Sequence, residues 1–347
     1  MAARRGIAIL VAALAVATLL NANGLLKTAE TQQQGARRTT AVAVMRQIDR
    51  VSRFLGLTAP RHGLQVAIGR ADEDRIDTTV HLAAPSPARR PVPRAHRLHH
   101  AAPLTAQRPH VKPPPKPKPL FTPRHPLRLW VAGDSLAEVP GQALERAAGT
   151  GGSVDVVGVE SRLSTGLTRP DLYNWFDRFE QELGRHPNVV VLSFGADDEH
   201  DYMSGVPDGV TVGKLGSPSW VREYRRRVAG VTREFNQHGI YVVWIGTPIP
   251  RGSGYVYGFR VVNRIFRSVA AAHKSLTTYI DTWHMFATRT GRYADYLRNA
   301  GGQLVRVRAT DGIHYEPAAG DEIARAVLAK LGGVYGLASG SRKVRSS

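Results

Sequence analysis

Short apolar runs that alternate with helix-like stretches constrain the fold of this chain more than any other feature. Each run is rich in branched residues and ends at Gly, Asp or Ser, and a stretch with helical spacing follows it. Strands that alternate with helices indicate a parallel sheet covered on both faces. The predicted strands span 129–132, 154–159, 189–194, 240–245 and 279–280, and the predicted helices 136–148, 171–183, 219–237, 259–273 and 318–331. The sequence therefore predicts one α/β domain over 127–335.

Residues 85–126 have a very different composition. They hold more than half of the 22 prolines, many basic residues, and neither Asp nor Glu. A proline-rich chain of like charges cannot form a core and favours an extended polyproline II conformation. We predict a disordered linker here, and a disordered tail over 336–347.

The whole chain of 347 residues carries a net charge of +19 and contains no cysteine. The lack of cysteine excludes disulfides, thiolate metal sites and cysteine nucleophiles. The positive charge suggests a polyanionic partner, but about half of it lies in the linker and not on a folded groove that could read nucleic acid. We expect contact with anionic envelope polymers or lipid head groups, and no nucleic-acid partner.

The N-terminus has the pattern of a membrane-targeting segment. Arg4 and Arg5 precede an apolar stretch over 7–20. Its length suits the core of a signal peptide, while a weaker continuation to residue 26 suits a retained anchor. We predict a signal anchor or signal peptide over 1–26 with the following chain outside the cytoplasm, and then a juxtamembrane region over 27–84 that contains an amphipathic helix at 40–57.

The first candidate for chemistry is the sequence Gly133-Asp134-Ser135-Leu136, which ends the first predicted strand. At the carboxyl end of a parallel strand, a serine points into a crevice beside a helix N-terminus. Its hydroxyl needs a base, and a histidine oriented by a carboxylate is the natural one at neutral pH. Asp311 and His314 are three residues apart in a predicted turn before the last helix, so both side chains can face the same crevice.

These two motifs on an alternating α/β domain resemble the SGNH hydrolases, which are also called GDSL esterases and lipases. The tethered architecture resembles a membrane-anchored bacterial branch of that superfamily with no assigned function. The resemblance implies a flavodoxin-like α/β/α sandwich with about five parallel strands. It also implies that Ser135 is the nucleophile, His314 the base and Asp311 the residue that orients it.

The same resemblance implies an oxyanion hole with three donors, namely the backbone N–H of Ser135, the backbone N–H of Gly166 and an asparagine side chain after the third strand. This chain has Asp197 at the asparagine position. An ionised carboxylate cannot donate a hydrogen bond, and losing one such donor typically costs about 2.7–4 kcal/mol. Asp197 is therefore protonated, turned away or bound to a cation with Asp198 and Glu199, or else the domain is a weak or lapsed enzyme.

Further residues are candidates for contact with the substrate. They lie beside the serine, at the end of the fourth strand, in the loop after it and before the Asp-x-x-His turn: Asp134, Trp244, Tyr255 and Arg308. Neither a phosphate-binding glycine loop nor a metal-ligand cluster of recognisable spacing is present in the sequence. We expect no cofactor and no metal.

The sequence supports several functional hypotheses. The first is an exported, membrane-tethered serine esterase that removes short acyl groups, such as O-acetyl, from envelope glycans or small esters. A related one is an O-acyltransferase that works with a membrane protein as acyl donor. The others are a non-catalytic glycan-binding module, which Asp197 makes plausible, and a structural envelope protein that acts through its basic linker.

Overall fold

A computed structural model describes residues 2–30, 36–60, 63, 67, 78–84, 118–149, 152–207, 210–299 and 301–337. Most of the predicted linker and the tail from residue 338 lie outside the described residues, so the disorder predicted for them stays a prediction.

A parallel sheet of five strands forms the centre of the domain, in the order β3-β2-β4-β5-β6. The strands are β2 (Leu127–Gly133), β3 (Val154–Ser161), β4 (Val189–Ser193), β5 (Tyr241–Ile245) and β6 (Thr277–Ile280). All four pairings are parallel. The predicted α/β class and the predicted number of strands are confirmed. Each predicted strand end lies within two residues of the observed one.

Helices cover both faces of this sheet. They are α4 (Glu138–Ala148), α5 (Trp175–Leu183), α6 (Pro218–Gln237), α7 (Ser253–Ala272), the short α8 (Thr282–Met285) and α9 (Pro317–Val334). Helices α4 and α9 pack together on one face, and α6 and α7 on the other. Two apolar cores result, because alternate residues of each buried strand point to opposite faces. Val131 and Val243 belong to one core, and Trp130 and Trp244 to the other.

The domain boundaries differ from the prediction. Strand β1 (Leu120–Phe121) pairs in parallel with β9 (Gly336–Leu337). The domain therefore begins before residue 127, and its last strand lies inside the segment predicted to be a disordered tail. A small antiparallel pair, β7 (Tyr296–Arg298) and β8 (Leu304–Arg306), precedes the final helix.

The segment 78–84, which the sequence assigns to the juxtamembrane region, packs on the α/β domain; we name it the strap. The Asn174 side chain donates a hydrogen bond to the Thr79 carbonyl at 2.9 Å, and Arg233 donates to the Ala83 carbonyl at 3.0 Å. Leu82 packs directly over Gly230 of α6, where an added Cβ would lie 2.6 Å from the leucine side chain. The strap is thus part of the outer layer of the domain.

The helices that precede the strap include α1 (Ala2–Leu20), α2 (Ala22–Glu30) and α3 (Ala36–Phe54). A small apolar cluster joins α2 to α3, and the Ser52 hydroxyl donates to the Leu19 carbonyl at 2.6 Å. The amphipathic helix predicted at 40–57 corresponds to α3. Within the described ranges, no helix combines the length and apolar character that crossing a membrane requires.

Candidate active site

The predicted nucleophile lies where β2 ends. Gly133 is the last residue of the strand, and a Cβ on it would lie 1.8 Å from the Ser193 carbonyl oxygen of the neighbouring strand. Only glycine therefore lets the end of β2 lie this close to β4. A single 3₁₀ turn, Ser135–Ala137, then leads into α4. Ser135 is thereby held at the carboxyl edge of the sheet, half exposed.

The structure brings the three predicted catalytic residues together. Nε2 of His314 lies 2.6 Å from Oγ of Ser135, and Nδ1 of the same ring lies 2.5 Å from Oδ2 of Asp311. These contacts give each ring nitrogen one partner, so the tautomer with the proton on Nδ1 leaves Nε2 free to accept the serine proton. The arrangement is a complete Ser-His-Asp triad.

A tight turn holds Asp311 in place. Its Oδ1 accepts hydrogen bonds from the backbone N–H groups of Ile313 at 2.8 Å and His314 at 3.0 Å. Burial opposes ionisation of Asp311, but the hydrogen bonds from the His314 ring and from these backbone groups lower its pKa overall. Gly312 has φ of 75°, a conformation that a side chain would strain. The carboxylate is therefore kept ionised and fixed beside the histidine.

Arg251, which the sequence analysis did not single out, anchors this turn from the loop after β5. Its backbone N–H donates to the Gly312 carbonyl at 3.0 Å, and its guanidinium donates to the Thr310 carbonyl at 2.7 Å. Asp295 pairs with the other end of the same guanidinium. A lone arginine in a loop gives no sequence signal for such a role, because its three partners lie far away along the chain.

Asp134 was predicted to contact the substrate, and this is wrong. Its side chain is fully buried and accepts backbone N–H groups from Leu136 at 2.9 Å, Gly195 at 2.7 Å and Ala196 at 2.9 Å. Burial and the negative charge of Asp197 raise its pKa, and the backbone donors oppose part of that rise. Asp134 links the serine turn to the loop after β4.

The predicted oxyanion hole has a pair of backbone donors, those of Ser135 and Gly166. Among the described residues, none accepts a hydrogen bond from the N–H of Ser135 or of Gly166. A Cβ on Gly166 would lie 2.3 Å from Oδ1 of Asp198, so only glycine allows this backbone to approach the loop after β4. An oxyanion hole formed by these two N–H groups stays a prediction.

A buried network that the sequence did not reveal supports this side of the site. Asp198 is fully buried and accepts hydrogen bonds from the Thr168 N–H and hydroxyl, both at 2.8 Å, and from the Tyr224 hydroxyl at 2.6 Å. Arg227, also fully buried, donates to the carbonyl of Leu167 at 2.7 Å and to that of Ser204 at 2.6 Å. Asp198 and Arg227 together fix the segment that follows Gly166.

Asp197 lies beside this network, half-buried, and interacts electrostatically with His314. Burial and the negative charge of Asp198 raise its pKa to about 6, while His314 opposes the rise. Within the described part of the chain, no hydrogen bond to the Asp197 side chain is formed. The Asp197 carboxyl group therefore differs from that of Asp198, whose two oxygens both accept hydrogen bonds.

Two further predicted substrate contacts are wrong. Trp244 is fully buried, stacks on Phe266 at 4.7 Å and donates to the Thr232 hydroxyl at 3.0 Å. Arg308 is also fully buried, and its guanidinium donates to the carbonyls of Ile313 at 3.0 Å and Ile249 at 2.6 Å. Both therefore lie out of reach of a substrate, and Arg308 supports the turn that carries His314.

Tyr255 is 41% exposed in the first turn of α7, so its role in substrate contact stays a prediction. The described residues contain no group of three His, Asp or Glu side chains arranged to hold a metal ion. Cation binding by Asp197 with Asp198 and Glu199 is disfavoured, because Asp198 already accepts three hydrogen bonds.

Residues 128–330 match a family described as "Protein of unknown function (DUF459)". The chain belongs to the DUF459 family. Its five-stranded parallel sheet and the contacts among Ser135, His314 and Asp311 agree with what the resemblance to the SGNH hydrolases implies. The DUF459 region contains the whole triad, Gly166 and Asp197, whereas the strap and β1 lie outside it.

Several solved structures are similar to this DUF459 protein. A lipase/acylhydrolase from Enterococcus faecalis has 17% identity and a TM-score of 0.42 over 61% of this chain and 97% of its own. An acetyl-xylooligosaccharide esterase from Geobacillus has 18% identity and a TM-score of 0.41 over 63% and 97%. A Pseudoalteromonas esterase has 13% identity and a TM-score of 0.38 over 60% and 97%. No curated protein sequence matches the chain.

Proposed function

We propose that this protein is a serine esterase that hydrolyses short acyl esters through Ser135, His314 and Asp311. The observation that carries the proposal is the continuous contact from Ser135 Oγ through both ring nitrogens of His314 to Asp311, at 2.6 Å and 2.5 Å. A buried or purely structural histidine does not need a serine hydroxyl on one nitrogen and a carboxylate on the other. Acyl transfer does.

The geometry supports the following sequence of steps. Ser135 Oγ attacks the carbonyl carbon of the ester while its proton passes to Nε2 of His314, and the carbonyl oxygen becomes an oxyanion. The intermediate then loses the alcohol, which takes the proton from His314, and an acyl-serine remains. Water attacks the acyl-serine and gives a proton to His314, and collapse of the second intermediate releases the carboxylic acid and returns the proton to Ser135.

We further propose that the substrate is an O-acylated glycan outside the cytoplasm. The N-terminal pattern of Arg4 and Arg5 before an apolar stretch supports export, and the basic linker suits an anionic cell envelope. Protease accessibility of the full chain in intact cells tests export, and release of acetate from isolated envelope glycan tests the substrate.

The chemistry is tested with the full chain on an aryl acetate, in parallel with Ser135→Ala and with Ser253→Ala as a matched control. Ser253 is an exposed serine at the start of α7, outside the triad. We expect Ser135→Ala to lose turnover by at least about 10⁴-fold and Ser253→Ala to retain it. Mass spectrometry of acid-quenched enzyme should place the acyl group on Ser135. Turnover that survives Ser135→Ala would contradict the proposal.

A further inference from the structure

We propose that Arg251 is a positioning residue, which sets the catalytic turn (residues 309–314) against Ser135 and is itself held by Tyr293 and Asp295. This inference rests on the proposed esterase function. It assigns a role in turnover to residues of the loop after β5 and of the segment before β7, none of which belongs to the triad. The consequence is that an exposed arginine determines how closely the catalytic histidine meets its serine.

The triad contains one contact that is local in the chain and one that is not. Asp311 and His314 belong to the same turn, and Oδ1 of Asp311 accepts the backbone N–H of His314 at 3.0 Å. His314 and Ser135 are 179 residues apart, and their contact at 2.6 Å joins two separate segments. The turn can therefore keep its Asp-His pair and still lose the serine, unless other groups hold the whole turn in place.

Arg251 holds the turn from outside through two of its carbonyl groups. The backbone N–H of Arg251 donates to the Gly312 carbonyl at 3.0 Å, and Nη1 donates to the Thr310 carbonyl at 2.7 Å. The loop that carries Arg251 continues β5, which pairs with β4, and β4 pairs with β2, which ends at the nucleophile turn. Arg251 thus connects the catalytic turn through the sheet to Ser135.

Arg308 is a second outside anchor, and it keeps the turn folded when Arg251 is changed. Its buried guanidinium donates to the Ile313 carbonyl at 3.0 Å and to the Ile249 carbonyl at 2.6 Å. The backbone contact of Arg251 with Gly312 also survives a change of side chain. Loss of the Arg251 guanidinium is therefore expected to displace the turn and not to unfold it.

The guanidinium of Arg251 is held in one orientation by two residues that precede β7. Its Nη2 donates to the Tyr293 hydroxyl at 3.2 Å and to Oδ1 of Asp295, and the Tyr293 hydroxyl donates to the same Oδ1 at 2.7 Å. The Tyr293 ring also lies against the guanidinium, with 5.4 Å between the ring centre and Cζ. Because the guanidinium is rigid and planar, fixing Nη2 directs Nη1 at the Thr310 carbonyl.

Asp295 is suited to hold a cation in this place. Its backbone carbonyl accepts the Val307 N–H at 2.9 Å, next to the pair of β7 and β8. The hydrogen bond from Tyr293 lowers the pKa of Asp295, and Arg251 lowers it further, against a small effect of burial. The carboxylate is therefore ionised at neutral pH, and its hydrogen bond with Arg251 is charge-assisted.

Exposure separates a positioning role from a structural one. The side chains of Arg251 and Asp295 are 45% and 36% exposed, and an ion pair this exposed contributes little to stability. A purely structural role therefore predicts almost no effect when Arg251 is removed. A positioning role predicts a large effect on rate, because a misplacement of about 1 Å can cost about 10²-fold.

The full chain is assayed on an aryl acetate as wild type, Arg251→Ala and Arg267→Ala. Arg267 is the matched control, because it pairs with Asp281 at exposures of 53% and 35% and none of its contacts within the described residues reaches the catalytic turn. We expect kcat of Arg251→Ala to fall by about 10²-fold with little change in KM, and Arg267→Ala to keep the wild-type kcat. Equal kcat values for the two variants would overturn the inference.

A double-mutant cycle tests whether Asp295 acts through Arg251. Asp295→Ala should lower kcat by less than Arg251→Ala, since the guanidinium loses its orientation but is still present. The double variant Arg251→Ala/Asp295→Ala should be about as slow as Arg251→Ala alone. Losses in kcat that multiply would show that Asp295 acts independently and would overturn its part in the proposal.

Two further readouts show whether the turn is displaced or lost. The proton between Nδ1 of His314 and Oδ2 of Asp311 lies in a hydrogen bond of 2.5 Å and should give a low-field proton NMR signal. In Arg251→Ala this signal should persist, because the pair is internal to the turn, while labelling of Ser135 by an aryl fluorophosphonate should slow by about the same factor as kcat. Loss of the signal would show that the turn unfolds and would overturn the positioning role.

These measurements separate the two proposals. Turnover that depends on Ser135 but is the same in wild type and Arg251→Ala would overturn the role of Arg251 and leave the esterase proposal standing. Absence of turnover and of Ser135 labelling in the wild type would overturn both.

Discussion

The two halves of the candidate site are held together in different ways. The triad half, formed by Ser135, Asp311 and His314, is fixed by short contacts within tight turns, and the side chains of His314 and Asp311 remain 37% and 45% exposed. The oxyanion half, around Gly166 and the loop after β4, is fixed by fully buried side chains, namely Asp198 of that loop and Tyr224 and Arg227 of α6.

This difference has a physical consequence. An exposed turn can lose a side chain without losing the fold, because water replaces the missing hydrogen bonds. A buried charge that loses its partner is left without solvation, and the cost appears in the stability of the whole domain. We therefore expect mutations in the triad half to affect catalysis alone, and mutations in the buried network of the oxyanion half to affect both catalysis and folding.

The largest expected effect that separates the halves comes from Asp311→Asn. The amide can present an N–H to Nδ1 of His314, which stabilises the tautomer with its proton on the nitrogen that faces Ser135. We expect kcat to fall by about 10³–10⁴-fold with little change in the melting temperature. The measurement is steady-state turnover of an aryl acetate together with thermal unfolding.

Asp155→Asn is the control for that experiment, because Asp155 is an exposed carboxylate on β3 away from the triad. It should leave turnover unchanged. If Asp311→Asn instead lowered the melting temperature as strongly as a core mutation, the triad half would be coupled to the fold and the distinction between the halves would be lost.

Arg227→Met is the corresponding test of the oxyanion half. It removes the donors to Leu167 and Ser204 and leaves Glu223 without its buried partner. We expect a loss of about 3–5 kcal/mol in the free energy of unfolding, measured by urea denaturation. Turnover of the folded fraction should also fall, because the segment after Gly166 loses its anchor.

The neighbouring residue provides a matched control. Arg226 also pairs with Glu223, but its side chain is 37% exposed, whereas that of Arg227 is fully buried. Arg226→Met should cost about 0–1 kcal/mol. Should Arg227→Met prevent folding altogether, Arg227→Lys, which keeps the charge, allows the same comparison. Equal stability losses in the 226 and 227 variants would show that burial of this network does not matter.

The sequence predicted the triad half because its information is local. A strand followed by Gly133-Asp134-Ser135, and a turn that spaces Asp311 and His314 by three residues, identify the residues and their chemistry at once. The alternation of strands and helices likewise predicted the fold, since periodicity reports which face of each element is buried.

The rest could not be predicted, because it depends on contacts between distant segments. Arg227 is one of many arginines on α6, and nothing in its neighbourhood shows that it reaches Leu167, sixty residues away. Trp244 was misassigned because an aromatic side chain at a strand end can face either a crevice or the core. The register of β5 directs the Trp244 side chain into the core, against Phe266 of α7 and Thr232 of α6. The strap was missed because its apolar residues are too few to show a period.

A mutation in the strap tests the same distinction with the smallest expected effect on the free energy of unfolding. The strap covers the outside of the oxyanion half. Leu82 is half-buried over Gly230, and an added Cβ on Gly205, next to Ser204, would meet the Thr78 carbonyl oxygen at 2.2 Å. We expect Leu82→Ala to lower the free energy of unfolding by about 1–2 kcal/mol, less than for a fully buried leucine. Leu304→Ala, at a leucine that is 64% exposed, should have almost no effect. If Leu82→Ala were equally neutral, the strap would lie on the domain without stabilising it, and the oxyanion half would owe its rigidity to the buried charges alone.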